Sequence, residues 1–131
     1  MSQRIRTFLM FTGEAEAAMQ RYAEIFDDAE IVELERWPEG GPSPAGTVLR
    51  GTLELGGQRV MFTDSPPVHD FSFTPATSLW VDCPTPQEVD RCAAALADGG
   101  SELMPVGSYP FSERFGWVVD RFGVSWQISL A

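Results

Sequence analysis

Basic residues are scarce in this chain: 9 Lys and Arg stand against 19 Asp and Glu, leaving a formal net charge of −10 and a pI near 4.3. Nucleic-acid binding rests on neutralising phosphates with Lys and Arg, so this balance argues against it, and equally against an anionic membrane surface. Acidity names no substrate; it mainly keeps a protein soluble. Histidine is rarer still. His69 is the only one, which rules out a metal cluster built on two or three imidazoles. Cys83 and Cys92 are the only cysteines, with no Cys-x-x-Cys. That is too few for a disulfide framework and reads as a soluble protein of a reducing compartment, the cytoplasm. Long apolar runs are missing too. Phe8-Leu9-Met10-Phe11 falls short of a signal-peptide core of ~7–15 residues or a membrane span of ~20, so no membrane partner is expected.

What remains suits one ordinary domain. The 131 residues are 44% hydrophobic, enough for a core at a length typical of domains, ~100–150 residues. Ile5 to Phe11 is a compact, strand-like stretch. Thr12 is a candidate N-cap for a helix over Ala15 to Phe26, whose Ala18, Met19, Tyr22, Ile25 and Phe26 recur at spacings of three and four. Ile31 to Glu35 reads as a strand, and Trp37 to Gly46, with its prolines and glycines, as a loop. Thr47 to Leu55 alternates, and Gly56-Gly57 turns it into a returning strand, Gln58 to Thr63. Asp64 to Pro75 reads as a connection.

The order then repeats. Ser78 to Asp82 is a strand, and Thr85-Pro86-Gln87-Glu88 starts a helix with Thr85 as N-cap, Pro86 at the first position and Glu88 closing a capping box. Val89, Cys92, Ala93 and Leu96 form its apolar stripe, and Gly99-Gly100 ends it. Leu103-Met104 begins a strand, Pro105 to Ser112 reads as a loop, and Phe115 to Asp120 pairs with Val124 to Leu130 about Arg121-Phe122-Gly123. An offset of 71 lays Thr7 on Ser78, Tyr22 on Ala93 and Ile25 on Leu96. After the loops an offset of 66 lays Leu53 on Val119, Gly57 on Gly123 and Met61 on Gln127. The matched order is that of a duplication: an α+β chain of two tandem βαβββ modules, about 1–66 and 76–131, in one domain.

Three segments carry a resemblance: residues 8–19 (FLMFTGEAEAAM), 61–65 (MFTDS) and 112–127 (SERFGWVVDRFGVSWQ). With the tandem modules they make the chain similar to the vicinal oxygen chelate superfamily, which includes glyoxalase I, extradiol dioxygenases and bleomycin-resistance proteins. Within it the chain looks like the branch filed as demethylubiquinone methyltransferase-like. The resemblance implies curled mixed sheets, each with a helix on its outer face, forming a cup around a pocket. In metal-dependent relatives four inward residues bind the ion, and strand-by-strand matching puts those positions at Thr7, Met61, Ser78 and Gln127. A thioether, two hydroxyls and one amide are poor ligands for a divalent ion. No metal and no other cofactor is expected, and glyoxalase and dioxygenase chemistry are disfavoured. Glu54-Leu55-Gly56-Gly57 superficially resembles a nucleotide-binding loop, but a strand follows it rather than a helix.

Trp80, Trp117 and Trp126 lie on expected strands of the second module, with Phe71, Phe73, Tyr109 and Phe111 in the flanking loops. Period two puts Ser78 and Trp80 on one face, and the repeat adds Gln127 and Trp117. Two readings stand: aromatic walls with a few polar groups make a small-molecule pocket, or the rings simply fill the cup. The polar Thr7, Ser78 and Gln127 favour the pocket, lined by these three with Met61, Trp80 and Trp117. Glu113 and Arg114 either anchor a ligand at its rim or pair across a loop. His69 beside Asp70 is an exposed loop residue or a general base, and both cysteines read as packing residues. The functional readings are a metal-independent small-molecule binding protein, an enzyme of uncharacterised reaction, or an assembly domain with a filled cup. A two-fold homodimer is implied by the resemblance and supported by nine Phe, four Trp and five Met in so small a chain.

Overall fold

The computed structural model describes residues 2–131. The order is β1 (Thr7–Phe11), α1 (Ala15–Ile25), β2 (Ala29–Arg36), β3 (Val48–Leu55), β4 (Gln58–Asp64), then β5 (Ser78–Cys83), α2 (Pro86–Ala97), β6 (Ser101–Tyr109), β7 (Ser112–Val119) and β8 (Ser125–Leu130). These are two tandem βαβββ modules, each a four-stranded mixed sheet with one helix. The chain divides into two compact units between Ser72 and Phe73. Strand order is β1-β4-β3-β2 in the first sheet and β5-β8-β7-β6 in the second, and the outermost module strands β1 and β5 pair parallel with β4 and β8.

In the first unit α1 buries Ala15, Ala18, Met19, Tyr22 and Ile25. They pack on β2, β3 and β4, where Leu53, Val60 and Phe62 are fully buried. Phe11 stacks on Phe62 with centroids 5.6 Å apart, and Tyr22 lies 6.1 Å from the same ring. Gly51 lets the helix close in, because a Cβ there would lie 2.5 Å from the Met19 sulfur. In the second unit α2 lays Val89, Cys92, Ala93 and Leu96 on its sheet, where Val118, Trp126 and Ile128 are buried. The alternating burial follows from the pleat: one sheet face takes the helix and the other is left open.

Four expectations change. Thr12 does not cap α1. Glu14 holds the N-cap position without a side-chain bond, and the Asp64 carboxylate, from β4, accepts from Gly13 N at 2.7 Å and Ala15 N at 3.0 Å. Thr85 does cap α2, accepting from Glu88 N, but Glu88 turns its carboxylate to Arg91 instead of closing a box. Pro105 to Ser112 is not a loop. Strand β6 runs through Pro105 to Tyr109 with irregular register, which an edge strand tolerates because a missing N–H there breaks no internal ladder.

The fourth change concerns the repeat. Thr7 pairs with Val60 and Phe8 with Met61, whereas Leu79 pairs with Trp126 and Trp80 with Gln127. Phe8 therefore occupies the place of Trp80, and Thr7 that of Leu79 and not of Ser78. A slip of one residue transfers every side chain to the other face, so Thr7 lies on the helix side of the first sheet, with its hydroxyl bonded to Gln58 Oε1 at 2.8 Å. The helix offset of 71 and the β4–β8 offset of 66 agree with the structure, but between β3 and β7 the offset is 65: Thr52 pairs with Met61 as Trp117 does with Gln127, so Leu53 matches Val118 and not Val119.

Candidate ligand site

The open face of the second sheet gathers most of the expected site. Register sets Ser78, Trp80 and Asp82 on β5 beside Ser125, Gln127 and Ser129 on β8, and these beside Val119, Trp117 and Phe115 on β7. Paired residues share a face, so these nine side chains stand together. Two linked features result, one polar and one aromatic.

In the polar part, Trp117 Nε1 donates to Ser125 Oγ at 2.8 Å. Ser125 and Ser78 share a hydroxyl bond of 2.7 Å, and Gln127 Nε2 donates to Ser78 Oγ at 3.1 Å. Each serine oxygen thus accepts one N–H, and one of the two hydroxyl hydrogens is consumed between them. The second hydroxyl hydrogen and the Gln127 Oε1 carbonyl remain available. The Gln127 acceptor is half-buried, and the spare hydrogen sits on half-buried Ser78 when Ser125 donates between them or on buried Ser125 when Ser78 does.

In the aromatic part, Phe115 is 1% exposed although it stands on the open face. Trp80 covers it at 5.6 Å, Phe111 at 4.9 Å and Tyr109 at 5.7 Å between ring centroids. The covering rings are themselves fixed. Trp80 Nε1 donates to Asp82 Oδ1 at 3.0 Å and the Tyr109 hydroxyl to Pro105 O at 2.6 Å. Trp80 and Phe111 nevertheless keep 53% and 61% of their surface exposed.

Other expected site residues lie elsewhere. Met61 is on the open face of the first sheet beside Phe8 and Thr52. Arg114 is on the helix side of β7, bonded to Asp90 of α2 at 2.6 Å, while Glu113 is exposed near the start of β7. His69 is exposed and stacks on Phe71 at 4.8 Å. Cys83 and Cys92 are buried free thiols. Burial, then the neighbouring Cys92, pushes the Cys83 thiol up to about 12, which suppresses the reactive thiolate.

The positions that hold a metal in relatives do not fit one. Thr7 faces away from Met61, Met61 offers only a thioether, and Ser78 and Gln127 bond to each other. Among the described residues no group of three or more His, Cys, Asp or Glu is arranged to hold an ion. The Gly56-Gly57 pair is a hairpin turn with both φ angles positive, leading into β4 and not into a helix.

Sequence reasoning missed two buried acids, Asp64 and Asp120. Asp64 is 2% exposed and accepts from Gly13, Ala15 and, through Oδ2, Val48 N at 2.9 Å. Its carbonyl accepts from Trp37 Nε1 and Ser43 Oγ, which pins the Trp37–Gly46 loop. Asp120 accepts from Phe122 N and Val124 N through Oδ1 and from Trp126 Nε1 through Oδ2. Both acids are structural clasps. Their only signal in the sequence is an acid ending an apolar strand.

Comparison with known proteins gives one family and a common fold. Residues 3–129 match the 3-demethylubiquinone-9 3-methyltransferase family. The chain is similar to the Bacillus cereus PhnB protein, designated a 3-demethylubiquinone-9 3-methyltransferase, at 53% identity and a TM-score of 0.94, over 98% of this chain and 100% of that one. A glyoxylase/bleomycin resistance protein/dioxygenase domain from Frankia sp. EAN1pec shares the fold at 15% identity and a TM-score of 0.69, with 100% and 98% covered. A bleomycin-binding protein from Streptomyces verticillus, solved with copper(II)-bleomycin, does so at 17% identity and a TM-score of 0.55, with 100% and 99% covered. Nothing among curated proteins matches.

Proposed function

The chain belongs to the 3-demethylubiquinone-9 3-methyltransferase-like (PhnB-like) family of the vicinal oxygen chelate superfamily, and from that premise we propose that it binds a small molecule, without a metal, on the open face of its second unit. One observation carries the reading: a free hydroxyl hydrogen and a free amide carbonyl stand beside aromatic rings already locked in place. Polar groups set into an apolar wall give orientation, and rings give affinity. That a protein of the same fold binds bleomycin supports the capacity of the scaffold for such a role. The family designation names a methyl transfer, but the glycine pair that could be read as a cofactor loop is a hairpin turn, and no methyl-transfer step is assigned to these residues.

A thermal-shift screen with a metabolite set tests the reading. A stabilising compound should lose its effect in Gln127→Ala and Ser78→Ala, and a chelator should leave both the effect and the melting temperature unchanged. Stoichiometric metal in the purified protein, or no compound binding, contradicts it.

The working unit is a two-fold homodimer in the cytoplasm. Exposed Phe8 and Phe71 support an apolar partner surface, and two buried free thiols suit a reducing compartment. Among the described residues no helix is long and apolar enough to cross a membrane. Sedimentation equilibrium should give twice 14.5 kDa; the mass of one chain contradicts the dimer.

A further inference from the structure

We propose that the ligand of the second unit is a planar aromatic cation, stacked on Trp80 with its charge toward Asp82; this rests on the small-molecule reading above. Shape comes first. Trp80 is half-exposed yet fixed from below by Phe115 and at its edge by Asp82. A flat ring held still offers stacking area with little ordering cost on binding. Phe111 and Tyr109 stack on each other, 18° from parallel at 5.8 Å, and both stand edge-on to Phe115, packing the ring that Trp80 rests against.

Charge decides the rest. Strands β5 to β8 contain a single basic residue, Arg114, and it faces α2, where Asp90 holds it. Arg91 pairs with Glu88 on α2, and Arg121 lies 3.3 Å from Asp98. No cation of this unit therefore serves the open face, while exposed Asp82 adjoins the Trp80 indole edge. An anionic ligand would meet Asp82 with no cation of this unit to balance it. A cation gains both the carboxylate and the ring quadrupole. The free Gln127 carbonyl adds an acceptor for an N–H on the ligand's rim.

Three tricyclic probes of nearly one shape test this by calorimetric titration: proflavine as cation, phenazine as neutral ring and phenazine-1-carboxylate as anion. Proflavine should bind about ten-fold more tightly than phenazine, and phenazine-1-carboxylate more weakly than either. Asp82→Asn keeps an acceptor for the indole N–H and should bring proflavine down to the level of phenazine. Trp80→Ala should abolish binding of both while leaving the sedimentation mass unchanged. Anion binding equal to or tighter than proflavine overturns the inference, as does binding indifferent to Trp80. Dissociation of the assembly by Trp80→Ala also overturns it, by placing a second copy on this face. If all three probes fail while the metabolite screen finds a binder dependent on Gln127, the inference falls and the small-molecule reading stands. If nothing binds in either experiment, both fall.

Discussion

The first unit ties its elements together across long stretches of chain, and the second ties them locally. Asp64 reaches donors 51, 49 and 16 residues away, whereas the donors to Asp120 lie 2, 4 and 6 residues along. The helices repeat the contrast. Glu16 of α1 bonds Arg36 at the end of β2, 20 residues on, while Glu88 of α2 bonds Arg91 only three residues on. The open faces differ in the same sense. In the first sheet Thr52 bonds Glu33, Arg50 lies near Glu33 and Glu35, and Arg59 pairs with Glu54. In the second sheet the cations are turned away and a serine–glutamine network keeps groups in reserve. A duplicated scaffold has one half committed to holding itself together and the other left chemically open.

The two clasps offer the largest effect with which to break that contrast. Asp64→Ala leaves three backbone N–H groups without their acceptor, two of them buried, and should cost about 4 kcal/mol in denaturant unfolding. Asp120→Ala orphans two backbone donors and one indole N–H within a turn that can relax toward water, and should cost about 2 kcal/mol. Equal losses, or a larger one at Asp120, would mean that the long-range ties are not what distinguishes the first unit.

Much of this architecture was legible from the residues. Helix stripes at spacings of three and four, the Thr85-Pro86 start and the Gly56-Gly57 hairpin each express a local rule, and each agrees with the structure. Ser78 and Trp80 share a face by period two, and strand pairing sets Gln127 and Trp117 beside them. What escaped was set by partners distant in sequence. The cap of α1 comes from Asp64, 49 and 51 residues away, so Thr12, a cap residue by type, is left without that role. Thr7 was matched to Ser78 by counting, but pairing with β4 places Phe8 at the equivalent of Trp80. Spacing cannot reveal a one-residue slip when Thr7, Leu9 and Phe11 alternate only weakly with Phe8 and Met10.

Thiol chemistry sharpens the contrast at intermediate scale, since both cysteines lie in the second unit. With the Cys83 thiol pushed up to about 12, by burial first and then by Cys92, little thiolate forms at pH 8. Iodoacetamide at that pH should modify Cys83 at least a hundred-fold more slowly in the native protein than in guanidinium. A native rate within ten-fold of the unfolded one would show that this unit opens readily.

The smallest effect belongs to the helix ties. The Arg36 bond holds the Glu16 carboxyl below its ordinary value of 4.5. A depressed carboxyl contributes stability above that value and loses it as pH falls through the folded one. Because the pair is largely exposed, Glu16→Gln should cost roughly half a kcal/mol at pH 7 and nothing at pH 2. A loss that persisted at pH 2 would assign the effect to packing and not to charge.

The central claim, that the second unit holds the open site, is tested most directly by the indole N–H region of a nitrogen-15 correlation spectrum during proflavine titration. The four indoles report separate places: Trp37 on Asp64 O, Trp126 on the Asp120 clasp, Trp80 on Asp82 and Trp117 on Ser125. Trp80 and Trp117 should shift in proportion to bound probe while Trp37 and Trp126 stay in place. Movement of Trp37 or Trp126 with Trp80 and Trp117 unmoved would contradict the account.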